Sequence, residues 1–287
     1  MRVLPFDLAS YIATSEARFD DLRPGNESQI VWAYPASRAR TPLSIVYIHG
    51  FSASPGELRP LPDLVAQKLG ANIYYARLSG HGRSGDAMLE ASAHSWVNDV
   101  AEAIAIGRRL GERVVVMATS TGASLTTWAA TQPELMRDVA GLVQFSPNYG
   151  VQATGSSLLT MPWAKQMVQL IIGERRSFEP KNEKHARYWT SDYPSLALVP
   201  MASLVKLADT ADAGTIRIPS LFVYSPLDQV IRPDLVKRKA TAWGAPTKSI
   251  EVTNDDDPNH HVIAGDALSP STTGILAAET ADWIAGL

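Results

Sequence analysis

The stretch VVVMATSTGASL, Val114 to Leu125, decides how the chain is read. Its four leading apolar residues have the length and β-branched character of a buried strand. They run into Ala118-Thr119-Ser120-Thr121-Gly122 and then into a segment that reads as a helix. A serine mounted at such a strand–turn–helix stands in a strained turn. The residues two before and two after it must be small, so that strand and helix can approach. Gly122 meets that need. Ala118, where the G-x-S-x-G pattern has its first glycine, is the smallest residue with a Cβ. Read alone, the stretch equally suits a buried strand whose Thr119 or Ser120 caps the next helix.

The flanking sequence alternates in the same way. SQIVWAY, LSIVYIHG and ANIYYARL read as strands before it, and AGLVQFS after it. Between them, ELRPLPDLVAQKLG reads as a helix closed by Gly70, and HSWVNDVAEAIAIGRRLG places Trp96, Val100 and Ile104 on one stripe. Continuous apolar strands separated by helices predict an α/β class fold with a mostly parallel sheet covered on both faces. From about Pro147 to Ile218 the alternation stops and no segment reads as a strand. It resumes with PSLFVYS, the helix PDLVKRKATAW, the strand TKSIEVT and a last helix for which Ser269-Pro270 supplies cap and first turn. Residues 1–146 and 219–287 are therefore expected to form one core, and 147–218 a helical insertion.

A serine hydroxyl becomes a nucleophile only beside a base, and the base needs an orienting carboxylate. The loop after SLFVY carries Asp228, and the loop after SIEVT carries His260 and His261. Parallel strands present their active loops at one common edge, so both loops converge on Ser120, in the order Ser, Asp, His. The Thr121 N–H, at the positive end of the following helix, faces the place where an oxyanion would form. A second donor belongs to the loop of YIHGFSASPGE, and the Phe51 N–H is the candidate. His49, between a strand and a glycine, reads as a residue that holds this loop by hydrogen bonds.

Two motifs compete. GHGRSG, Gly80 to Gly85, has the form G-x-G-x-x-G after a strand. A dinucleotide site would open its helix at once, whereas here the helix begins only near Ser95. NDDDPNHH has the composition of a metal cluster, but its residues are consecutive and lack ligand spacing, so a solvated turn is expected and no metal.

Composition narrows the field further. The 287 residues are 45% hydrophobic and 19% charged, with net charge −3, which argues against a nucleic-acid binder. No cysteine is present, which removes thiol nucleophiles, disulfides and cysteine zinc sites. The first twenty residues do not read as a signal peptide, because Asp7 interrupts their only apolar run. A cytoplasmic protein without an integral membrane segment is expected, and the sequence fixes no oligomeric state.

The chain resembles the α/β-hydrolase fold superfamily, on VYIHGFSASPGE, YYARLSGHGRSG, ATSTGASL, SPLDQVI and HHVIAGD, in that family's order across roughly residues 40–287. Its nearest likeness is to the carboxylesterase and monoacylglycerol-lipase branch. That resemblance implies a serine hydrolase of carboxylic esters with Ser120, Asp228 and His261 as the triad, and Phe51 and Thr121 as oxyanion donors. In that branch the catalytic histidine precedes Val-Ile and stands five residues before an aspartate, as His261 does before Asp266, so His260 is expected to face away. It also implies a helical cap inserted between strands 6 and 7, no cofactor, and a small ester as partner. Met161, Trp163 and Met201 are its candidate substrate contacts, although such residues can equally bury the cap's own underside. The same triad could serve acyl transfer, thioester hydrolysis or cofactor-free perhydrolysis, or persist in a low-turnover ligand-binding protein.

Overall fold

A computed structural model describes residues 4–153 and 155–287, so the first three residues of the expected core lie outside the described residues. In chain order the elements are α1 (Leu8–Glu16), β1 (Gln29–Val31), β2 (Thr41–Ile48), α2 (Leu61–Leu69), β3 (Asn72–Ala76) and α3 (Ala93–Leu110). Then come β4 (Gly111–Thr119), α4 (Ser120–Ala130) and β5 (Val139–Phe145). They are followed by α5 (Ala164–Ile172), β6 (Arg175–Ser177), α6 (Glu183–Tyr188), β7 (Asp192–Pro194) and α7 (Leu198–Thr210). The chain ends with β8 (Ser220–Tyr224), α8 (Pro233–Thr241), β9 (Thr247–Glu251) and α9 (Pro270–Ala285).

Seven strands form the main sheet in the order β1-β3-β2-β4-β5-β8-β9, all parallel except β1, which runs antiparallel to β3 at the edge. The central strands alternate between two cores. Val46, Ile48, Val114 and Val116 face one side with α3 and α4, while Ile45, Tyr47, Val115 and Met117 face α2 and α9 on the other. Burial on both faces is why these strands read as unbroken apolar runs. Strand order reverses beside β2 and β4, and in open α/β sheets the crevice beyond the strand C-termini at that point is where ligands bind.

Two expectations change. Counted along this chain, residues 147–218 leave the main sheet after its fifth strand and rejoin at its sixth. The segment is also not purely helical: β6 and β7 pair antiparallel, with Arg176 opposite Tyr193. Each strand is only three residues long, and Arg-Arg-Ser has no apolar alternation to betray it. The pair is closed by an Arg175–Asp192 ion pair at 2.5 Å instead. Among the described residues no helix is long and apolar enough to cross a membrane.

Candidate active site

Thr119 ends β4 in extended geometry, and Ser120 opens α4 with φ 49°. A left-handed serine is strained, and such strain is tolerated where the surrounding structure over-determines it. Gly122 shows how tightly the turn is held. A Cβ there would stand 2.4 Å from the His49 carbonyl oxygen and 2.6 Å from that of Ile48. Ala118 is still inside β4, paired with Ile48 and Gln144, with its methyl buried in the core. The two small-residue positions of the motif are therefore unequal: the second lies against backbone, whereas the first meets side chains and admits a methyl.

Asp228 and His261 come from the loops after β8 and β9 and meet Ser120 at the sheet's C-terminal edge. His261 Nε2 lies 3.1 Å from Ser120 Oγ, and His261 Nδ1 lies 2.8 Å from Asp228 Oδ2. The carboxylate is itself fixed, because Asp228 Oδ1 accepts the N–H groups of Val230 at 2.7 Å and Ile231 at 2.9 Å. Nδ1–H is therefore the donor to Asp228, which leaves the Nε2 lone pair for the Ser120 hydroxyl. Burial opposes charge on His261, but the Asp228 carboxylate outweighs it, with smaller contributions from Glu57 and Asp257, and the imidazole pKa rises above its ordinary value. His260 turns elsewhere, with φ 52° and its Nδ1 3.0 Å from Asp255 Oδ2.

The loop after β2 carries Phe51. His49 is buried; its Nε2 accepts the Leu78 N–H at 3.0 Å, so its Nδ1–H donates to the Gly50 carbonyl at 2.8 Å. Burial holds this imidazole neutral, well below its ordinary pKa. The Ala53 N–H reaches the same carbonyl at 3.3 Å. In a trans peptide the next N–H points opposite the carbonyl, so fixing the Gly50 oxygen fixes the direction of the Phe51 N–H. The Phe51 ring is held edge-on by His81, Trp96 and Tyr193, at centroid distances of 5.7, 6.1 and 5.5 Å. GHGRSG thus belongs to the packing behind this loop, with Gly80 and Gly82 at φ 79° and 69° making its turn.

Sequence reasoning missed Glu57. In the sequence it reads only as the first residue of a helix, but α2 starts at Leu61 and the Glu57 side chain turns inward. Its Oε2 accepts the Gly50 N–H at 2.7 Å and the Tyr47 hydroxyl at 3.1 Å. NDDDPNHH is likewise more than a solvated turn. Asp255 holds His260, Asp256 accepts the Ser271 N–H at 2.8 Å, and buried Asp257 receives Lys181 Nζ at 2.5 Å. Asp257 Oδ2 also accepts the N–H groups of His261 at 3.2 Å and Val262 at 3.0 Å.

A cavity of about 780 Å³ opens above Ser120. Of the three candidate substrate contacts Met201 lines it, whereas Met161 and Trp163 do not: they are 50% and 68% exposed and stand outside its wall. The residues facing it from α5 are Ala164, Met167, Val168, Ile171 and Ile172, a stripe at i, i+3, i+4, i+7 and i+8. Composition marked the segment as apolar, but Met161 and Trp163 precede α5, Trp163 as its N-cap, and so lie outside the stripe that Met167 belongs to.

The family profile described as serine aminopeptidase, S33, matches residues 40–255. A thermostable monoacylglycerol lipase of Bacillus sp. (strain H-257) is 25% identical over 202 residues, covering 70% of this chain and 76% of that protein. Among solved structures, a lipolytic enzyme from the metagenome-derived LipS and LipT pair superposes with TM-score 0.73 at 19% identity, covering 93% of this chain and 100% of that one. The Paleococcus ferrophilus monoacylglycerol lipase superposes with TM-score 0.61 at 14% identity, over 90% and 97%.

Proposed function

The chain belongs to the serine aminopeptidase, S33, family of α/β-hydrolases, and from that membership we propose that it cleaves carboxylic esters through a Ser120–His261–Asp228 triad. The observation that carries this reading is the hydrogen-bonded line from Ser120 Oγ through His261 to Asp228. His261 Nε2 takes the hydroxyl proton as Oγ attacks the ester carbonyl. The imidazolium that forms is held by Asp228, which also keeps the ring in the tautomer that attack requires. The Phe51 and Thr121 N–H groups bind the tetrahedral oxyanion. His261 then gives its proton to the departing alcohol, leaving the acyl group on Ser120. A water deprotonated by His261 releases the acid and restores the serine. Every proton in this cycle is carried by a side chain of this protein.

The cavity supports an ester with an apolar acyl part. Its walls, from Met167 and Val168 of α5 to Met201 and Val205 of α7, suit an apolar acyl chain, and its volume is in the range of small-molecule sites. Residues 147–218 act as the cap over that chain. Esters of the kind named in the Bacillus relative, a monoacylglycerol lipase, are within this class. The test is hydrolysis of p-nitrophenyl esters from acetate to laurate alongside aminoacyl p-nitroanilides. Ester turnover that rises beyond acetate and vanishes in Ser120→Ala is expected. Turnover of the anilides alone would replace the ester reading with a peptidase one.

A further inference from the structure

Glu57 is a buried carboxylate that the triad does not use. A Cβ placed on Gly50 would lie 2.9 Å from Glu57 Oε1 and 3.2 Å from Ser120 Cβ, so the absent side chain of Gly50 is what lets the carboxylate stand beside the nucleophile. Its Oε2 receives two donors, the Gly50 N–H and the Tyr47 hydroxyl, and that hydroxyl is also 3.0 Å from Thr119 Oγ1. One side chain therefore ties the oxyanion loop, strand β2 and the residue preceding Ser120 together. No lysine or arginine among the described residues pairs with it.

We propose that Glu57 is a positioning residue for the reaction: as a carboxylate it anchors the Gly50 amide, and through it the Phe51 N–H, and it stands as a second anion facing His261. This rests on the serine-hydrolase reading above. Gly50 is clamped from both sides, its carbonyl by His49 and Ala53 and its N–H by Glu57. With the two peptide planes that flank Gly50 both held, the Phe51 N–H needs little reorganisation when the oxyanion forms, and such preorganisation is where oxyanion holes derive their effect. A protonated carboxyl accepts more weakly than a carboxylate, so the clamp loosens on protonation. The titratable groups facing Glu57 are Tyr47 from β2 and His261 from the loop after β9, and Thr119 adds a hydroxyl from β4. Burial pushes the Glu57 carboxyl up to about 7, against the lowering effect of the Gly50 N–H and of His261. Two groups consequently lose their active form as pH falls, Glu57 by gaining a proton and His261 by becoming imidazolium.

The test uses the full chain, p-nitrophenyl butyrate and an alkyl trifluoromethyl ketone, to whose carbonyl Ser120 Oγ adds, giving up its proton to His261, so that the hemiketal anion mimics the oxyanion. In the wild type, the acid limb of kcat/KM is expected to fall more steeply than one proton allows. Glu57→Gln should lower kcat about tenfold to a hundredfold, less than outright loss of a donor. KM should change little, and ketone affinity should weaken by the same factor as kcat. The acid limb should become a one-proton limb at lower pH, because His261 has lost a neighbouring anion. Tyr47→Phe removes one hydrogen bond from the carboxylate and should move the limb up, which keeps the test usable if Glu57→Gln does not fold. Wild-type limbs in both variants, or a kcat loss with unchanged ketone affinity in folded Glu57→Gln, would overturn the proposal. Failure of the wild type to form a fluorophosphonate adduct on Ser120 would instead sink the serine-hydrolase reading.

Discussion

Ser120 sits at φ 49° because Gly122 lets α4 press against the β2 backbone. Gly122→Ala would drive a methyl into two carbonyl oxygens and is expected to abolish ester turnover and lower the melting temperature. Ala118→Gly, which only removes a methyl from the core, should keep the enzyme active while costing about 1 kcal/mol of stability. The two histidines separate as cleanly. His261→Ala should abolish turnover, whereas His260→Asn, which suits the left-handed backbone and stays clear of Ser120, should retain most of it. Because the base works only when neutral and its pKa is raised, kcat/KM should fall on acidification from above pH ~6.5, the ordinary histidine value. A midpoint well below that value would contradict the Asp228 pairing.

At the scale of elements, the loop after β9 is held by Asp257, which joins Lys181 of the insertion to the backbone of His261 and Val262. Burial disfavours this carboxylate, yet Lys181 and the backbone N–H groups outweigh it, and its pKa lies below the ordinary value. A depressed folded pKa means that the stabilisation is complete above the unfolded value near 4 and is lost as pH falls through the folded one. Asp257→Ala should therefore cost about 2–3 kcal/mol in urea unfolding at pH 7, with less of that difference at pH 3. Helix α5 makes a second prediction. Ala202→Phe on α7, facing the α5 stripe across the cavity, should cut kcat/KM for laurate far more than for acetate. Trp163→Ala and Leu170→Ser, on exposed positions, should leave the chain-length profile unchanged.

Across the whole molecule, what the sequence makes legible is what backbone periodicity governs. Runs buried on both faces mark the parallel strands, each strand's end marks the common edge, and Ser120, Asp228 and His261 follow from standing just past such ends. Less legible are the features that depend on which way a side chain turns. Glu57 has the composition of a helix first turn but lies four residues before Leu61, where the chain is still turning inward. Met161 and Trp163 are as apolar as Met167, but they stand in the turn before α5 rather than on its cavity-facing stripe. The β6–β7 pair has no sequence pattern because its pairing is made by backbone and one ion pair. The hydrolase architecture is thus written in hydrophobic periods, and the refinement of its site in local turns.

The central claim is that Ser120, activated by His261, is the nucleophile. Labelling with an alkyl fluorophosphonate, read by peptide mass spectrometry, tests it most directly. The account predicts one adduct per chain on the peptide bearing Ser120 in the wild type, its formation slowed at least a hundredfold in His261→Ala and abolished in Ser120→Ala, as loss of a triad base costs orders of magnitude. An unlabelled wild type, or an adduct on another residue that persists in Ser120→Ala, would contradict it.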